Sequence, residues 1–171
     1  MRMLQRTILA LTLVVAAVAG LALAIAPSPA SAQASNEFTI KAKQAILIDA
    51  DSGAILFQYN PDQLAPPASM SKLMTLAVAF REVKEGKIKP EDEFLMSENA
   101  WRKGGGPSGT SAMFVPINTR VRVDELFKGI IIQSGNDAAM AIAEGIAGSE
   151  EAFAKMMTEE ARRLGLSKST F

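Results

Sequence analysis

The chain has 171 residues, with 18 Lys and Arg balanced by 18 Asp and Glu, and it contains neither His nor Cys. Such a length suits one modest domain with a single core. The missing residue types exclude Ser-His-Asp and Cys-His catalysis, His- or Cys-ligated zinc and any disulfide framework, while the balanced charge argues against nucleic acid as a partner.

Arg2 and Arg6 precede an apolar run from Ile8 to Ala26, followed by Pro27, Pro29 and the triplet Ala30-Ser31-Ala32. Residues 1–32 therefore read as a secretory signal peptide cleaved after Ala32. The run also approaches the roughly 18 to 20 residues that cross a bilayer, so a retained membrane anchor is the second reading. Under both, the remainder is exported, to the periplasm or the outer face of the cytoplasmic membrane. Both basic residues of this segment leave with it and no acidic ones do, which tips the rest slightly acidic.

Residues 33–38 read as a polar leader. Residues 45–49 and 54–58 are short runs rich in branched apolar side chains, separated by Ala50-Asp51-Ser52-Gly53. This pattern predicts a β-hairpin. Asp49 and Asp51 do not make a calcium loop, because Gly53 falls one position early and Asn60 stands where the closing Glu belongs.

A helix is expected from about 69 to 85, stopped at Gly86. Met70, Leu73, Met74, Leu76, Ala77, Val78 and Phe80 cover most of its circumference, which predicts burial on nearly all sides. Residues 87–121 are mixed. Their run Gly104-Gly105-Gly106-Pro107-Ser108-Gly109 reads as a flexible surface loop, because Thr110 and Ser111 lack the preceding Lys of a phosphate cradle.

Three further helices are expected, at 123–133, 138–147 and 149–164. Asp124 and Glu125 favour the first turn of the first, Ser149 caps the last, and Gly165 closes it. Ser134-Gly135-Asn136-Asp137 between the first two is a cluster of turn and capping residues. Two strands followed by helices predict an α+β domain whose sheet needs more strands than the sequence reveals.

With His and Cys absent, a nucleophilic Ser must be activated by a neutral Lys or a carboxylate. Ser69 and Lys72 stand three apart at the start of a helix, where side chains at that spacing share a face. Apolar neighbours Met70, Leu73 and Met74 would lower the Lys72 pKa by disfavouring its charged form. The helix amino terminus would favour an oxyanion on Ser69. Ser71 is the rival nucleophile, pointing to another face. On spacing alone, an N-cap Ser69 and a solvated Lys72 are the simpler explanation.

The wider wording separates these readings. Pro67-Ala68-Ser69-Met70-Ser71-Lys72-Leu73-Met74-Thr75, then Ser134-Gly135-Asn136-Asp137-Ala138-Ala139, resemble the D-alanyl-D-alanine carboxypeptidases among the low-molecular-mass penicillin-binding proteins. The likeness runs from Ala45 to Phe171 and includes Trp101, Ser111-Ala112-Met113-Phe114, Asp124-Glu125-Leu126 and Ala147-Gly148-Ser149-Glu150. It departs at Thr158 and Asn118, neither near the proposed chemistry. The family's third motif, Lys-Thr-Gly or a variant, does not occur before Phe171.

The resemblance implies a DD-peptidase/β-lactamase-like α+β fold, an antiparallel sheet with a helical subdomain. Residues 33–171 would be part of the catalytic domain, with an incomplete sheet and a site inactive without the third motif. It implies Ser69 as nucleophile, Lys72 as base, Ser134 as proton relay and Asn136 as substrate-binding residue, with no cofactor and no metal. The substrate would be a peptidoglycan stem peptide ending in D-Ala-D-Ala, and β-lactams would acylate Ser69. A missing carboxy-terminal segment could add membrane association. A β-lactamase, a D,D-endopeptidase and a non-catalytic peptidoglycan-binding or β-lactam-sensing envelope protein share these motifs and stay open.

Overall fold

The computed structural model describes residues 40–171, so the expected signal peptide and polar leader lie outside the described residues. The chain divides into two compact units between Gln63 and Leu64. Among the described residues, no helix is long and apolar enough to cross a membrane.

The first unit contains the expected hairpin. Strands β1 (Ala45–Ile48) and β2 (Ile55–Tyr59) pair antiparallel, Ala45 opposite Tyr59 and Leu47 opposite Phe57, with a register shift between Leu47 and Ile48. The turn is built locally. Asp49 Oδ1 accepts from the Ser52 backbone N–H at 2.8 Å and from its hydroxyl, and Gly53 supplies a φ of 72°. Asp49 is thus a turn-forming carboxylate, and the Ser52 bonds hold it below the usual carboxylate pKa range.

The second unit is mainly helical. A 3-10 turn (Ala68–Ser71) leads directly into helix α1 (Lys72–Lys84). Strand β3 (Glu93–Leu95) and helix α2 (Glu98–Gly104) follow, then a short 3-10 turn (Gly106–Ser108) and strand β4 (Arg120–Arg122). Helices α3 (Val123–Gln133), α4 (Asn136–Ala147) and α5 (Glu150–Arg163) complete it. β3 and β4 form a second two-stranded antiparallel ladder, with Phe94 opposite Val121. The region from 87 to 122 therefore holds two strands and a helix that short, mixed sequence conceals.

Helix α4 is the hub and touches the other four helices. Its Ala-rich sequence permits this, because small side chains let neighbours approach on several sides. Ala138, Ala141 and Ile142 are buried beside Val78 of α1, Ala100 of α2, Leu126 of α3 and Phe153 of α5. Burying each of the larger side chains stabilises the fold by about 1.5–3 kcal/mol. Phe94 lies so close to Gly145 of α4 that a Cβ there would come within 2.2 Å of its ring.

Helix α1 departs from expectation. Its buried positions, Lys72, Met74, Thr75, Val78, Ala79 and Glu82, form one stripe at helical spacing. On the other side Leu73 is 71% exposed and Phe80 47%, and Met70 in the preceding turn is 68% exposed. The helix is therefore one-sided among the described residues, since its packing partners in this unit approach from one side. Ion pairs reinforce that buried stripe: Glu160 of α5, itself buried, accepts from Arg81 of α1 and from Arg163, and Glu82 pairs with Lys87.

Candidate active site

Ser69 lies in the 3-10 turn rather than in the helix proper, and Ala68 before it takes a left-handed φ of 49°. A non-glycine residue there costs about 1–3 kcal/mol and persists only when its surroundings impose it. The turn closes through its own atoms. Met70 N donates to Pro67 O at 3.1 Å, and the Ser71 hydroxyl to Ala68 O at 2.8 Å. Ser71 thereby spends its proton on the backbone and lines a different groove, with Pro66, Pro67 and Phe171. Ser69 stays exposed and opens onto a cleft of about 240 Å³, lined also by Lys72, Leu73, Leu76, Ile130, Ile131 and Ser134.

Lys72, the first residue of α1, is buried. Its Nζ donates to the Ser134 carbonyl at 2.7 Å and to the Ser134 hydroxyl at 3.1 Å. Burial pushes its pKa below the ordinary lysine range, and attraction to the Asp137 carboxylate pulls it part of the way back. Among the described residues, no hydrogen bond joins Lys72 Nζ to the Ser69 hydroxyl. The two line one cleft with no hydrogen bond between them, an arrangement common before a substrate tightens a site.

Ser134 is the C-cap of α3 and also left-handed, with φ 54°. This conformation turns both its carbonyl and its hydroxyl toward Lys72. Asn136 starts α4, earlier than the expected Ala138, and its Nδ2 donates to Thr110 Oγ1 at 2.9 Å. So Ser69, Lys72 and Ser134 line one cleft, while the Asn136 amide is engaged with the segment before β4. Among the described residues, no group of three or more carboxylates is arranged to hold a metal ion.

Three residues matter here in ways that their local sequence does not signal. Asp137 reads as a capping residue, yet it is fully buried and accepts N–H bonds from Met113 and Phe114 as well as from Ala138. Gly135 reads as a loop former, yet its φ of −57° suits any residue. Space is what it supplies: a Cβ would sit 3.0 Å from Asp137 Oδ1 and 3.1 Å from Met113 N. Gly104, expected in a flexible loop, instead ends α2 and is buried, its absent Cβ only 2.5 Å from Asp137 N. The signal for all three is small residues and a carboxylate at motif edges, but their partners are distant in sequence.

The family model for D-alanyl-D-alanine carboxypeptidase matches residues 30–171. The chain is 41% identical over 137 residues to the D-alanyl-D-alanine carboxypeptidase DacF of Bacillus subtilis, covering 80% of this chain and 34% of that one. It is 41% identical over 134 residues to DacC of Escherichia coli, covering 78% and 34%. It superposes on penicillin binding protein 5 from Haemophilus influenzae with a TM-score of 0.70 at 40% identity, over 78% of this chain and 38% of that one. The chain thus spans about a third of the length of the curated relatives it matches. Its fold is that of these DD-peptidases, with two small antiparallel sheets among the described residues.

Proposed function

Because the chain belongs to the D-alanyl-D-alanine carboxypeptidase family, we propose that the protein removes the terminal D-alanine from peptidoglycan stem peptides through an ester on Ser69. The observation that carries this reading is the contact of Lys72 Nζ with the Ser134 hydroxyl in the cleft that Ser69 opens onto. In a chain without His, it joins the two groups that could move a proton to and from a serine.

Burial favours the neutral amine, the form that can accept a proton. Lys72 takes the Ser69 proton as Oγ bonds to the carbonyl carbon of the penultimate D-alanine. The carbon–nitrogen bond to the terminal residue then breaks, and Ser134 relays the proton to the departing amine. Water cleaves the ester, returning Ser69 its proton. Asn136 binds the substrate amide once it leaves Thr110. A β-lactam, whose strained amide offers the same carbonyl, acylates Ser69 too, in keeping with the penicillin-binding names of the relatives.

A peptidoglycan substrate requires export, so residues 1–32 act as the signal that delivers the protein to the periplasm or the outer face of the cytoplasmic membrane. Labelled penicillin, applied to the full-length protein, should attach to Ser69 alone, and the protein should release D-alanine from a diacetyl-lysyl-D-alanyl-D-alanine peptide. An adduct mapped to Ser71, or labelling that survives Ser69→Ala, would sink the assignment.

A further inference from the structure

Asp137 is 0% exposed, yet it lies one residue beyond the Ser134-Gly135-Asn136 turn that faces the cleft. Its Oδ1 accepts from Met113 N and Ala138 N, both at 2.8 Å, and its Oδ2 accepts from Phe114 N at 3.0 Å. Next to it, Asn136 N donates to Ser111 O at 2.8 Å. The carboxylate therefore clips the turn to a segment 23 and 24 positions earlier in the chain. A Cβ at Gly104 would collide with this clip, and one at Gly135 would crowd it.

A buried carboxylate is an expensive way to satisfy three backbone N–H groups, since a neutral acceptor could serve them without desolvating a charge. We infer that Asp137 is a positioning residue for the Lys72–Ser134 pair: it holds the Ser134 turn against residues 111–114 and supplies the counter-charge for the ammonium that Lys72 becomes on taking the Ser69 proton. The inference rests on the acyl-transfer reading above and names the residue that makes Lys72 effective within it.

The surroundings leave this role to Asp137. Residues 111–114 carry no charge, the contact from α2 is Gly104, and Ser134 is neutral. Among the described residues, Asp137 is the charge whose attraction reaches Lys72 and raises its pKa against the effect of burial. Acylation needs the neutral amine, so its rate rises with pH as Lys72 loses its proton. Without the carboxylate the ammonium is less favoured, and this rise should come at lower pH.

The test labels Ser69 with a fluorescent penicillin in the full-length protein across a pH series, with thermal unfolding as the control for folding. Asp137→Asn should acylate up to about a hundredfold more slowly at its best pH, the scale of a misplaced catalytic group, and its rising limb should move to lower pH. Gly135→Ala keeps the charge but wedges the clip, so it should slow labelling with the limb unmoved. Should neither variant fold, amide exchange in the unsubstituted protein decides: Met113 and Phe114 should be protected like the core of α4, and free-loop exchange overturns the clip. Asp137→Asn labelled at the parental rate, or slowed with its limb unmoved, overturns the inference while leaving Ser69 chemistry intact. An unsubstituted protein that takes no label at Ser69 overturns both.

Discussion

The turn carrying Ser69 and the turn carrying Ser134 line the same cleft but are held by different means. Residues 67–71 close on themselves through Met70 N and the Ser71 hydroxyl, and Ser69 and Met70 remain exposed. Residues 134–137 are held from far away, by Ser111, Thr110, Met113 and Phe114, around a carboxylate with no exposure. Both include a residue at left-handed φ, Ala68 in one and Ser134 in the other, so strain alone does not distinguish them. In the proposed reaction Ser69 has to meet substrate, and a self-closed turn can stay open to solvent. The proposed base, Lys72, is buried, and burying it requires other segments to close over it.

Lys72 is where the two turns meet, and it offers the largest way to break the comparison. Arginine is effectively always protonated and cannot act as a base. Lys72→Arg should therefore lose penicillin acylation by orders of magnitude while the protein still unfolds cooperatively. A variant acylating within about threefold of the parent, a barrier change of only ~0.65 kcal/mol, would make Lys72 a structural partner of Ser134.

A methyl group at Gly104 probes the distant support of the second turn. Its Cβ would sit 2.5 Å from Asp137 N and 2.7 Å from the Asn136 carbonyl carbon, both backbone atoms that cannot swing aside. Gly104→Ala should cost about 1–3 kcal/mol of stability and slow acylation, although residue 104 does not line the cleft. Denaturant unfolding and labelling rate measured together would reveal this. Unchanged values in both would mean that the Ser134 turn is as self-contained as the other.

The smallest effect is expected at Ser71. Ser71→Ala removes one local hydrogen bond to Ala68 O, worth about 0.5–1.5 kcal/mol, and should leave the acylation rate within about twofold. A large loss of labelling would show that the first turn depends on Ser71 to aim Ser69.

The pattern of success and failure in the sequence reading follows the same division. The hairpin, helix α3 and the Ser149 cap of α5 were legible because each is governed by neighbours within a few positions: alternation, helical spacing, a side chain reaching the third residue on. Strands β3 and β4 are three residues each and too short to show a period. Helix α2 is only seven residues long and ends in Gly104, the first glycine of a run that reads as a loop. The apolar side chains around α1 gave no hint of which side its helical partners would cover.

By itself, then, the sequence determined the hairpin and the longer helices, the chemistry open to a chain without His or Cys, and the placing of Ser69 and Lys72 one turn apart. Tertiary structure alone decided that Lys72 reaches Ser134 across 62 positions, that Asp137 turns inward to three backbone N–H groups, and that the backbone around Asp137 leaves no room for a Cβ at Gly104. Backbone propensity and side-chain spacing act over about one helical turn. Which donor meets a buried carboxylate depends on how segments far apart in the chain pack, and no local pattern records that choice.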